Sequence, residues 1–116
     1  MKSLRVNWLM QHILFICSQN KLRSPTAEQV FSGVEGLEVL SAGTNNDAIN
    51  PVTPELILWA DKILVMEPTH REKLKKKFRA QLNGQRIICL GIPDNYEFMD
   101  PELVKILLKK VPQFIN

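Results

Sequence analysis

A cysteine followed, five residues on, by an arginine is the part of this sequence that can do chemistry. Cys17-Ser18-Gln19-Asn20-Lys21-Leu22-Arg23-Ser24 gathers a sulfur, a guanidinium and two hydroxyls within one short segment. A continuous apolar run, His12-Ile13-Leu14-Phe15-Ile16, precedes it, and Ser24-Pro25 follows with the signs of an N-cap and a proline at the first helical position. A loop between a strand and a helix N-terminus turns its backbone N–H groups toward one point and favours an anion there. The same field stabilises a thiolate, so Cys17 is expected to be a competent nucleophile near neutrality. Arg23 suits a bidentate grip on two phosphate oxygens, and Ser24 can donate its hydroxyl to the sulfur. Ser18, Gln19, Asn20, Lys21 and Leu22 would line the bound anion. Asn20 also suits a left-handed turn, or a side-chain lock on the loop. The competing reading is a strand-terminal cysteine that merely packs. The strand before, the helix start after and Ser directly following Arg favour chemistry, and no glycine-rich Walker pattern competes.

Such a loop needs a sheet to hold it. Short apolar runs alternate with amphipathic stretches along the chain, the pattern of a parallel sheet with crossover helices. Strands are expected at His12–Ile16, Leu37–Leu40, Lys62–Met66 and Arg86–Leu90. The helix after Ser24-Pro25 has Ala27, Val30, Phe31 and Val34 as its apolar stripe. Thr53-Pro54-Glu55 opens a short helix through Trp59, whose ring is expected to pack beside the third strand. A longer helix follows Glu67-Pro68-Thr69, turns Leu74, Phe78 and Leu82 inward, and stops at Asn83-Gly84. Asp100-Pro101-Glu102 opens the last, with Leu103, Ile106, Leu107 and Val111 inside. The expected fold is an α/β three-layer sandwich, a four-stranded parallel sheet with helices on both faces.

Ile13-Leu14-Phe15-Ile16-Cys17 through Arg23-Ser24-Pro25-Thr26-Ala27-Glu28 closely resembles the signature of the low-molecular-weight protein tyrosine phosphatases. The resemblance continues through Ser41-Ala42-Gly43-Thr44 and through Ile63-Leu64-Val65-Met66-Glu67. It implies strand order 2-1-3-4 and places Ser41 in a network that supports the loop with Asn20 and Ser24. It also implies a phosphocysteine intermediate, no metal or other cofactor, and a general-acid aspartate after the fourth strand, followed by aromatics. That segment is Gly91-Ile92-Pro93-Asp94-Asn95-Tyr96-Glu97-Phe98-Met99-Asp100. Asp100 precedes Pro101-Glu102 and an apolar helical stripe, which marks it as an N-cap. Asp94 has no such duty and matches the Asp-x-Tyr spacing, so it is the expected acid, with Tyr96 as a candidate pocket wall.

Three departures from the family pattern bear on substrate choice. Gln19 stands where the family commonly has Gly, and Lys21 where it has an apolar residue. The stretch from Thr44 to Asp61 is short, lacking an aromatic on one pocket wall and the histidine expected behind the loop. Asn95 replaces a common Pro. These leave phosphotyrosine selectivity open and admit other phosphorylated groups. Leu22 occupies the place of a second loop cysteine. Across the implied strand order Cys17 and Cys89 would lie about 10 Å apart, beyond disulfide reach, with Cys89 in the core.

The chain has 116 residues, 45% of them hydrophobic, a formal charge of +3 and two cysteines distant in sequence. That excludes a disulfide scaffold and a zinc site, and suits a cytoplasmic protein. Residues 1–10 form an expected N-terminal extension, ahead of one domain over 11–116. No apolar run approaches the ~20 residues of a membrane span. Basic clusters at Lys73–Arg79 and Lys105–Lys110 lack the interleaved aromatics of a nucleic-acid module, so neither nucleic acid nor membrane is an expected partner. The expected partner is a phosphorylated protein or a small phosphoester, with the chain a monomer or weak homo-oligomer. Alternatives are a phosphate- or phosphopeptide-binding module without turnover and an arsenate reductase, which would need further cysteines.

Overall fold

The computed structural model describes residues 10–115; the expected extension, apart from Met10, lies outside the described residues. Strand β1 spans Gln11–Cys17 and is followed by helix α1 (Arg23–Phe31), β2 (Leu37–Gly43), α2 (Pro54–Trp59), β3 (Lys62–Val65), α3 (Pro68–Lys77), β4 (Arg86–Cys89) and α4 (Pro101–Lys110). A 3₁₀ turn, Pro112–Phe114, ends the described chain. The four strands form one parallel sheet in the order β2-β1-β3-β4, as expected.

Strand alternation sorts the core into two layers. Ile13, Phe15 and Cys17 of β1 project to one face with Leu64 and Ile88, against Ala27 and Phe31 of α1 and Leu103 and Leu107 of α4. Leu14 and Ile16 project to the other with Ile63 and Val65, against Ile57 of α2 and Leu74 of α3. Both faces of the central strands are therefore dry, which is why β1 and β3 are continuous apolar runs rather than alternating ones. The chain leaves β1 toward β2 on one side and later extends from β3 to β4 on the other. That reversal opens a crevice beyond the carboxyl ends of β1 and β3.

Several boundaries differ from expectation, each for a physical reason. Helix α1 starts at Arg23 with Leu22 as its cap residue, so Ser24 lies inside the first turn and its hydroxyl is not an N-cap. The chain leaves the helix after Phe31, and Val34 is exposed rather than inward. Helix α3 ends at Lys77, well before Asn83-Gly84; Phe78 is its C-cap and is buried, while Leu82 is only half-buried. Burying Phe78 against the second layer decides that end, not the glycine. Strand β2 runs on to Gly43, because Ser41 and Ala42 pair with Phe15 and Ile16. Trp59 is half-buried against the core layer that holds Ile63 and Val65 of β3, in keeping with expectation, and it also stacks on His12 of β1, with ring centroids 4.8 Å apart. Thr53 and Asp100 cap α2 and α4 as expected, each accepting a backbone N–H of the first turn, from Leu56 and Glu102.

Candidate active site

Cys17 ends β1 on the α1 side of the sheet, where its sulfur meets the first turn of that helix. Sγ lies 3.0 Å from Ser24 Oγ, and both groups are buried. Asn20 fixes which way the proton points. Its φ of 54° is the left-handed turn expected of it, and its amide donates to Ser24 Oγ at 3.0 Å and to Ser41 Oγ at 2.9 Å. Ser41 in turn donates to the Glu28 carboxylate. Ser24 thus accepts from Asn20 and keeps its own hydrogen for the sulfur, the backbone alternative at Ala42 O being longer at 3.5 Å.

The loop is tied to the segment that follows β2. Thr44 N donates to Cys17 O, Asn45 N to Ser18 O and Ile49 N to Gln19 O, at 2.9–3.0 Å. Gly43 lets the two chains approach. A Cβ there would lie 2.5 Å from Ser18 O and 2.9 Å from Asn20 N. Its place in the sequence resemblance therefore has a steric cause.

Arg23 is almost wholly buried, with 2% of its side chain exposed, and a buried cation needs partners. Nη1 donates to Glu67 Oε1 at 2.9 Å and to Ile92 O at 2.8 Å. Glu67 comes from the β3–α3 junction and Ile92 from the segment after β4, so three strand ends meet on one guanidinium. Ile92 N also donates to Met66 O, which brings Asp94, two residues on, to within 3.6 Å of Arg23 Nε. Thr26 of α1 pins the far end of that segment: its hydroxyl donates to Leu22 O and accepts from Met99 N.

His70 is a residue the sequence reading missed. The short 44–61 stretch supplies no histidine behind the loop, but the first turn of α3 does. His70 is 1% exposed, its Nδ1 accepts from Glu67 N at 3.1 Å, and its Nε2 lies 2.9 Å from Ser18 Oγ. With Nδ1 accepting, Nε2 carries the hydrogen and donates to Ser18, whose own hydroxyl hydrogen is left for the cavity. Burial first, and then the Arg23 guanidinium, lower the His70 pKa to about 4 against the opposing pull of Glu67, so the ring is neutral at pH 7. The signal present in the sequence was a His three residues into a proline-initiated helix, which reads as a capping residue until the tertiary contact is seen.

These elements enclose a cavity of about 230 Å³ lined by Cys17, Ser18, Gln19, Lys21, Leu22, Arg23 and Asp94. Of the expected site residues, Asn20, Ser24 and Ser41 stand behind the loop rather than in the cavity wall. Tyr96 does not line it; the ring packs half-buried against the α1/α4 core layer. Asp100 caps α4 and is not part of the wall. Cys89 is half-buried rather than fully in the core, and lies on the opposite sheet face from Cys17 with β3 between them. A larger cavity, about 670 Å³, sits at the amino ends of β1 and β2 and has neither nucleophile nor cation in its wall. Among the described residues no group of His, Cys, Asp and Glu is placed to hold a metal ion, and no helix is long and apolar enough to cross a membrane.

The family model for low molecular weight phosphotyrosine protein phosphatase matches residues 12–61. No curated protein sequence matches the chain. Among solved structures, a low molecular weight protein tyrosine phosphatase from Streptococcus pyogenes superposes with a TM-score of 0.75 at 17% identity, covering 92% of this chain and 95% of that one. Wzb from Vibrio vulnificus, in complex with benzylphosphonate, gives 0.73 at 22% identity, covering 91% and 97%. The YwlE arginine phosphatase from Geobacillus stearothermophilus gives 0.71 at 20% identity, covering 89% and 92%. At these identities the superpositions establish the shared fold.

Proposed function

From the family resemblance, which the family model and the fold both match, we propose that this chain is a cysteine-dependent phosphatase working through a phosphocysteine intermediate. The observation that carries the proposal is the convergence of Cys17, Arg23 and Asp94 on one small cavity. Cys17 Sγ attacks phosphorus in line and the phosphorus–oxygen bond to the leaving group breaks. Arg23 has Nη1 committed to Glu67 and Ile92, and its Nε and Nη2 form the fork that holds two equatorial oxygens with the loop amides of residues 18–22. Asp94 is the acid that protonates the departing oxygen, then takes a proton from the water that hydrolyses the intermediate. Its side chain is 63% exposed, which leaves it open to both the leaving group and water. Ser24 donates to the sulfur and stabilises it as the leaving thiolate in the second step. The positive field comes from the loop, so no metal is assigned a role.

The substrate is a phosphorylated protein or a small phosphoester, in the cytoplasm. The cavity favours a slender phosphoryl-bearing group, since Tyr96 does not build a wall for an aryl ring. Because an arginine phosphatase shares the fold, phosphoarginine belongs beside phosphotyrosine in the assay. The test is hydrolysis of p-nitrophenyl phosphate in excess chelator, with trapping of the phosphoenzyme. Cys17→Ser is expected to abolish turnover; activity that survives it unchanged rules the mechanism out. Phosphate binding without measurable turnover in the wild type would favour the non-catalytic module instead.

A further inference from the structure

A second cavity, about 460 Å³, opens beside the segment that ties the loop down. Thr44, Asn45 and Asn46 form one wall and Lys73, Lys76 and Lys77 of α3 the other. It is continuous with the Cys17 loop through the backbone, since Thr44 N and Asn45 N bond Cys17 O and Ser18 O. The three lysines fall at i, i+3 and i+4 and so share one helix face. Two of them are held in place: Lys73 Nζ donates to Asn45 Oδ1 at 3.3 Å and Lys77 Nζ to Asn46 Oδ1 at 2.7 Å. Those partners are neutral. Among the described residues none of the three lysines is ion-paired, while Arg23, His12 and Lys105 all lie against carboxylates. Asp47, the acidic residue of the facing loop, is not part of the wall. Thr44 Oγ1, from one of the lining residues, is buried without a hydrogen-bond partner. Lys73 also contributes to lowering the His70 pKa, so the positive field of this wall reaches the group beneath the loop.

We infer that this groove is a second anion subsite, which takes a phosphate or carboxylate carried by the same peptide substrate next to the phosphoryl group bound at Cys17. Ammonium groups spread along a groove attract charge without demanding one geometry, so the subsite selects acidic or doubly phosphorylated segments rather than one residue type. The inference rests on the phosphatase reading for its substrate, but its test does not need turnover.

Binding is measured by fluorescence anisotropy on Cys17→Ser, with two phosphotyrosyl peptides that differ only in flanking Glu or Gln. The Glu-flanked peptide is expected to bind about tenfold tighter at low salt, the sum of three partly screened ion pairs. Lys73→Gln/Lys76→Gln/Lys77→Gln is expected to abolish that preference in the Cys17→Ser background, and in the wild-type background to leave p-nitrophenyl phosphate hydrolysis unchanged. Equal binding of the two peptides, or a preference that survives the triple substitution, overturns the inference. So does displacement of the acidic peptide by an equal concentration of mixed-sequence oligonucleotide, which would mark a general polyanion surface. A wild-type protein that fails to hydrolyse p-nitrophenyl phosphate while Cys17→Ser keeps the lysine-dependent preference would sink the phosphatase reading and support the subsite.

Discussion

Replacing His70 by Gln removes a titrating ring from beneath the Cys17 loop while keeping a side chain that can donate to Ser18 and accept from Glu67 N. In the folded protein burial and Arg23 lower the His70 pKa from 6.5 to about 4. The sign follows from where each state takes up the proton. Above pH 6.5 both states are neutral at this ring, and it adds no pH dependence. Between pH 6.5 and 4 the unfolded chain binds a proton that the folded one refuses, so stability falls as pH falls, and below pH 4 the loss is complete. Proton linkage across that window gives roughly 2 kcal/mol between pH 7 and pH 5, out of roughly 3 kcal/mol in all. Urea unfolding of wild type and His70→Gln at both pH values is the assay. Carboxylates and His12 are common to both proteins, so the difference between their pH slopes isolates His70. Wild type is expected to lose about 2 kcal/mol more than the variant on going from pH 7 to pH 5. Identical pH slopes would refute the argument that tertiary burial holds this ring neutral.

Asp94→Asn is expected to lower kcat on an aryl phosphate roughly 10²-fold, the usual worth of a positioned acid. Asp100→Asn should leave it unchanged, since Asn caps a helix as well as Asp does; the reverse outcome in steady-state kinetics would exchange their roles. Gly43→Ala puts a methyl group 2.5 Å from Ser18 O and 2.6 Å from Ala48 Cβ. A stability loss of about 1–3 kcal/mol by thermal unfolding is expected, with weaker phosphate protection because the loop is displaced. Peroxide should inactivate by oxidising Cys17 without an internal crosslink, because Cys89 projects from the other sheet face. Mass spectrometry finding a Cys17–Cys89 bond in the folded protein would contradict the topology.

The loop and the sheet were legible because their signals are local. An unbroken apolar strand, a Cys-x5-Arg-Ser segment and proline-led helix starts each declare themselves within a few residues. The strand order followed from a resemblance that spans the loop and the two strands flanking it in space. Boundaries that depended on packing were not legible. Asn83-Gly84 is a sound stop signal, but the burial of Phe78 ends α3 first. Ser24-Pro25 has the form of a cap, but the sulfur at 3.0 Å claims the hydroxyl.

By itself, the sequence settled the class of fold and marked out the Cys17–Ser24 segment proposed as nucleophile and anion loop, since each is encoded by residues close in the chain. Only the tertiary structure decided what stands around them. Glu67 is distant in sequence from the buried Arg23 it pairs with, and His70 sits on α3, far along the chain from the loop serine it orients. Thr26 and Ile92 reach the same site from α1 and from the segment after β4. A buried guanidinium and a buried imidazole must find partners wherever the fold brings them. The partners of Arg23 come from the segments that follow β3 and β4, whose places beside β1 are set by which faces the sheet can bury.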